Sequence, residues 1–194
     1  MPKTINFCGA SHLYFDPAED VSWCAKIAKM LDAKVIGTGW GESAYEYAIK
    51  SFNPEADITI FGWVESMRLY HKNYTCTYRN GVRYMKSYKE HELLTLMSEM
   101  FYRTFYTKEY FNEIQRRQLY WFDHEILSQY KGIIVHCYRN EITHKFKHGV
   151  VSPIMLRDLS ATTRTPDTWA HMDAETNEKQ SHHIYQLIKD NYDL

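Results

Sequence analysis

The feature that most restricts how this chain can fold is an alternation, repeated through its first sixty residues, of short apolar runs with stretches of helical period. Residues 4–10 read as a strand, and Asp20 to Leu31 as a helix, because Val21, Trp23, Cys24, Ile27, Ala28 and Leu31 recur at helical spacing. Ala33-Lys34-Val35-Ile36 is a second strand, followed by a glycine-rich turn and a helix near Ala44 to Phe52, and Asp57-Ile58-Thr59-Ile60-Phe61 is a third strand ending at Gly62. Strands separated by helices pair in parallel through right-handed crossovers, since a two-residue hairpin joins only antiparallel strands. Gly132 to Cys137 is apolar enough for a central fourth strand. Val150 to Leu156 reads as a fifth strand or extended segment, and Glu175 to Asn191 as a closing helix. The pattern predicts one three-layer αβα domain over residues 1–194, flavodoxin-like in plan, with a mainly parallel central sheet.

Between strands three and four lies an insertion at 66–131. Its first part, Tyr70 to Tyr88, is polar and tyrosine-bearing and suits a hairpin around Asn80-Gly81. From Glu90 to Tyr130 there is neither Pro nor Gly, and Leu93, Leu96, Met97, Met100 and Phe101 have the spacing of one buried helix face. Phe105, Tyr106, Tyr110, Phe111, Tyr120, Trp121 and Phe122 follow, more rings than one face needs. They are expected to pack the helices onto the sheet. The surplus also suits a substrate groove, a protein partner or self-association, where Tyr and Trp are enriched.

Composition excludes several function classes. A net charge of -1 argues against a phosphate-neutralising surface, so nucleic acid is not an expected partner. Cys8, Cys24, Cys76 and Cys137 are far apart with no C-x-x-C pair, which indicates reduced thiols rather than a zinc ribbon or disulfide framework. With no signal-like segment and no apolar span, a cytoplasmic protein without a membrane partner is expected.

The residues that carry chemistry stand at the ends of strands. Gly9-Ala10-Ser11-His12 follows the first strand, at the rim where open α/β sheets bind their ligands. Near the other end Asp167 and His171 stand together in Pro166-Asp167-Thr168-Trp169-Ala170-His171-Met172. Serine, acid and histidine in that order are one way to assemble a proton relay, which is recognised by geometry rather than chain order. Gly37-x-Gly39-x-Gly41 resembles a phosphate-cradling turn, but Glu42 occupies the position where the dinucleotide fingerprint needs glycine and would repel a phosphate. The turn instead offers a tight bend or an unshielded amide for an oxyanion. His144, His148, His182 and His183 read as solvated histidines, because no carboxylate motif accompanies either pair, and no metal site is expected.

Taken in order, Gly9-Ala10-Ser11-His12, Gly41-Glu42-Ser43, Gly62 and His171 resemble the blocks of the SGNH (GDSL-type) hydrolase superfamily, in the style of its small phage-encoded members. The resemblance implies Ser11 as nucleophile, His171 as general base and Asp167 as the acid that orients it. It implies the Ser11 and Gly41 amides as oxyanion donors, no cofactor, and a small ester or acylated carbohydrate as substrate. The chain departs from the pattern at three places. Ala10 replaces the family's Asp, Val64 stands where an Asn should donate to the oxyanion, and Asp167 lies four rather than three residues before the histidine. Ser66 and Arg68 are the candidates to replace the lost donor. The alternative is a catalytically impaired SGNH-fold protein used for binding or structure, of phage origin and associated with the virion.

Overall fold

In the computed structural model, which describes residues 2–15, 21–41, 43–71, 74–77, 81–84, 88–142, 144–159 and 172–193, the chain opens with β1 (Lys3–Gly9), a single 3-10 turn at Ser11–Leu13, α1 (Trp23–Met30), β2 (Ala33–Gly37), α2 (Tyr45–Lys50) and β3 (Ile58–Trp63). There follow β4 (Arg68–His71), β5 (Tyr74–Thr77), β6 (Gly81–Tyr84), α3 (Tyr88–Thr104) and α4 (Lys108–Trp121). The chain closes with β7 (Ile133–Tyr138), β8 (Val150–Val151), α5 (Leu156–Leu159) and α6 (Ala174–Asn191). The central sheet has the order β2-β1-β3-β7-β8 and every pairing in it is parallel. This is the doubly wound plan expected from the alternation, with the strand order reversing between β1 and β3.

Both faces of the sheet are covered, which is why its strands are nearly continuous apolar runs. Ile5, Phe7, Ile58, Ile60, Val135 and Cys137 point to one face and pack with Trp23 and Ile27 of α1 and Ile184 and Ile188 of α6. Cys8, Phe61, Trp63 and Ile134 point to the other, where they meet Tyr45 and Ala48 of α2 and Leu119 of α4. Local signals position the helices as well. Ser22 Oγ accepts the Ala25 N–H at 3.1 Å at the start of α1, and Asp173 Oδ1 accepts that of Thr176 at 2.7 Å at the start of α6, satisfying donors that a helix start leaves orphaned. Cys8, Cys24 and Cys137 are free and buried. No described helix is long and apolar enough to cross a membrane.

The insertion departs from its expected packing. Its first part is a three-stranded antiparallel sheet, β4-β5-β6, in which Thr77 pairs with Gly81; residues 78–80 of the expected hairpin turn lie outside the described residues. Of the predicted buried face of α3, Leu96, Met97 and Met100 are exposed and Phe101 is half-buried, while Ser98 and Tyr102 are buried; the Leu93 side chain lies outside those described. Of the expected ring packing, Phe122 reaches the core but Phe105, Tyr110, Tyr120 and Trp121 are exposed. Helical period identifies an apolar stripe, but not which side the rest of the chain occupies.

Candidate active site

Ser11 sits on the turn that caps β1, beside the β1–β3 crevice where strand order reverses and such sheets bind ligands. Leu13 N–H donates to Ala10 O at 2.9 Å and Tyr14 N–H to Ser11 O at 3.1 Å, closing the turn. Leu13 is fully buried and folds back over the strand ends, and glycines make that possible. A Cβ on Gly62 would lie 2.3 Å from Leu13 Cδ1, and one on Gly9 would lie 2.6 Å from Gly62 O, so neither strand end tolerates a side chain there. From the other side the β2–α2 loop is sewn to the same turn. Gly39 N–H donates to Leu13 O at 2.9 Å, Trp40 N–H to Gly9 O at 2.8 Å and Ser43 Oγ to Gly9 O at 3.0 Å. A Cβ on Gly39 would come within 2.5 Å of Ala10 O. Three glycines thus converge on the turn and leave Ser11 half-buried at the rim.

Gly41 lies in that same loop and is exposed. Nothing lies within 4 Å of where its Cβ would be, and it is not among the positive-φ residues, so neither packing nor backbone conformation calls for glycine there. What glycine supplies at this position is an amide that no side chain shields.

The residues that follow β3 are occupied by other contacts. The Val64 side chain is buried in the apolar cluster with Ala10, Trp63 and Leu119, and Val64 O accepts from Gln115 Nε2 at 2.8 Å. Ser66 Oγ donates to Asn112 Oδ1 at 2.6 Å. Arg68 Nε lies 3.4 Å from Glu65 Oε1, and its Nη1 donates to Ser43 O at 3.4 Å. Arg139 Nη1 reaches the same Glu65 oxygen at 3.2 Å, and Asn140 Nδ2 bonds the other one. Burial opposes ionisation of Glu65, but Arg68, its own backbone, Arg139 and Asn140 overcome it and hold the carboxyl below the usual range.

Asp167 and His171 lie outside the described residues. Their described neighbour Met172 is buried and tied to the serine turn by a relay of hydrogen bonds. Asn177 Nδ2 donates to Met172 O at 3.1 Å, Trp23 N–H donates to Asn177 Oδ1 at 2.9 Å, and Trp23 Nε1 donates to His12 O at 2.7 Å. Met172 is thereby linked through α6 and α1 to His12, the residue next to Ser11.

A second polar centre escaped the sequence reading. Asp123, in a π-helical turn after α4, is fully buried. Its Oδ2 accepts Lys147 N–H at 2.7 Å and His144 Nε2–H at 3.1 Å; its Oδ1 accepts His148 N–H at 3.1 Å and His148 Nδ1–H at 3.0 Å. Burial disfavours its charge, and these donors more than offset that, holding the carboxyl below its usual range. His144 and His148 are therefore not solvated as expected; both are structural donors to one carboxylate. Close by, Trp63 Nε1 donates to His136 Nδ1 at 2.9 Å, which makes Nε2 the protonated nitrogen, donating to His148 O at 2.9 Å. Burial pushes His136 down to about 4, so the ring stays neutral. Phe146 stacks on it at 3.8 Å between centroids. Nothing local marks this centre, because its members are far apart in the chain and met only on folding.

His182 stands exposed against Glu178, as expected, whereas His183 is half-buried with Nε2 3.2 Å from Ser152 Oγ. Ser152 is nearly fully buried and also accepts the Ile154 N–H at 3.3 Å, which makes it a turn-closing hydroxyl rather than a presented nucleophile. Burial raises Glu46 of α2 to about 7, and its Oε2 has no hydrogen-bond partner among the described residues. Among the described residues no three His, Cys, Asp or Glu side chains converge to hold a metal. Comparison with protein-family models, with curated proteins and with solved structures finds no match to this chain.

Proposed function

We propose that the chain is a serine hydrolase of the SGNH type acting on an ester, with an acyl or acetyl group on a carbohydrate as the substrate class. The observation that carries this reading is the construction around Ser11: a serine on a glycine-enclosed turn at the switch point, to which Met172 is linked through Asn177 and Trp23. In the proposed reaction Ser11 Oγ attacks the ester carbonyl while His171 takes its proton. His171 then delivers the proton to the leaving alkoxide, and water attacks the acyl-enzyme by the same route to release the acid. Asp167 orients His171. The Ser11 and Gly41 amides carry the developing negative charge on the carbonyl oxygen.

The buried Val64 favours a second reading, a catalytically impaired protein of the same fold serving in binding or assembly. An oxyanion hole lacking one donor typically loses about 10²–10³ in rate. One assay separates the two readings: hydrolysis of a short-chain aryl ester by the wild type and Ser11→Ala, with covalent capture by an alkyl fluorophosphonate read as a mass increase. An active enzyme hydrolyses the ester and is labelled at Ser11, and Ser11→Ala abolishes both. A wild type with neither activity nor label leaves the binding role. Val64→Asn is expected not to raise the rate, since that side chain is packed among apolar residues.

A further inference from the structure

We propose that the outward face of α3 is a self-association surface on which a second copy of this chain docks antiparallel, and this stands whether or not Ser11 is a nucleophile. Leu96, Met97 and Met100 are 54%, 56% and 59% exposed. At about 100° per residue they form one stripe, roughly opposite the buried Ser98 and Tyr102 that face the rest of the chain. Scattered exposed hydrophobes are ordinary, but a contiguous row along one helix marks a contact.

Charge selects the occupant. Glu99 and Arg103 are exposed along one edge of the stripe and make no ion pair among the described residues. A two-fold axis at the level of Phe101 exchanges positions 99 and 103, since each lies two residues from it. Antiparallel helices related in this way meet along like edges, so Glu99 of each copy faces Arg103 of the other. The same operation brings the two Met100 side chains, near the centre of the stripe, together. The face is thus complementary to itself in apolar character and in charge. A contact confined to this short stripe and its charged edge falls at the low end of specific interfaces, which suits a dimer with a dissociation constant in the micromolar range.

Sedimentation velocity of the full chain across low to high micromolar concentration tests this. A reversible monomer–dimer equilibrium is expected. Met100→Glu should weaken it by about 100-fold, as expected for charging the centre of an apolar contact. Glu99→Arg and Arg103→Glu should each weaken it by about 10-fold, and the double reversal should return it to within a few-fold of wild type. All of these positions are exposed in the monomer, so unchanged circular dichroism and melting should accompany the variants. A chain that stays monomeric throughout overturns the proposal, whether or not it binds another protein. So does a dimer indifferent to Met100→Glu, or a double reversal weaker than either single one.

Discussion

Around Ser11 the chain is drawn together by what glycines leave out, whereas beneath the β7–β8 connection it is drawn together by buried polar side chains. At the first, Gly9, Gly39 and Gly62 let backbone approach backbone, and the hydrogen bonds that hold the turn are mostly between main-chain groups. At the second, one carboxylate with no access to solvent takes four hydrogen bonds from residues 144–148, and a neutral histidine links Trp63 to His148. Close approach of main chain holds Ser11 half-buried at the rim of the sheet, where such folds bind ligands. A saturated buried network leaves no group to spare, so the other region is suited to holding a long connection in place of a crossover helix.

The difference predicts where stability and activity reside. Asp123→Ala should have the largest effect on stability, costing about 3–5 kcal/mol, because it leaves the buried His144 and three partly buried donors without their acceptor. Urea denaturation measures it, and the surviving folded fraction should still react with the fluorophosphonate at Ser11. A loss under about 1 kcal/mol would mean that the network does not hold the connection.

Acid should expose the same region next. His136 has its folded value near 4 against an ordinary 6.5, so between these values the unfolded chain binds the extra proton and the folded one does not. Stability therefore falls as pH drops from 6.5 towards 4, by about 3 kcal/mol in all. His144 is shifted in the same direction by burial and adds to this limb. Asp123, held below its ordinary 3.8, contributes stability that is present above that value and is lost as pH falls further. Urea midpoints measured against pH should show the upper limb in the wild type and a much flatter one in His136→Gln. An unchanged limb in that variant would assign the sensitivity elsewhere.

Gly62→Ala should invert the pattern. Its methyl must displace Leu13 within the turn, at a cost of about 1–3 kcal/mol, smaller than that of Asp123→Ala. Because Leu13 and Ser11 share one turn, fluorophosphonate labelling should fall in the folded protein. Wild-type labelling in a destabilised Gly62→Ala would break the link between the glycines and the serine.

How much of this was legible follows from how local each signal is. The β1, β2 and β3 steps and the position of Ser11 after the first strand are written in adjacent residues, and the strands appear close to where periodicity sets them. The stripe on α3 was legible as a stripe and misread in direction, because helical period carries no information about which side the remaining chain occupies. Nothing near His144 and His148 in the sequence marks them as donors to a buried carboxylate, because their partner, Asp123, stands some twenty positions away in another element.

The sequence by itself determined an α/β alternation and hence parallel strands with crossovers, since connection length and apolar period are properties of contiguous residues. It also determined that a serine and three glycines stand at strand ends. Only the tertiary structure decided that Gly9 and Gly62 lie in register across β1 and β3 beneath Leu13, that Val64 turns into the core, and that Asp123 is the shared acceptor of two histidines. Those outcomes depend on contacts between distant segments, whose partners are selected by packing and by the cost of leaving a buried polar group unpaired.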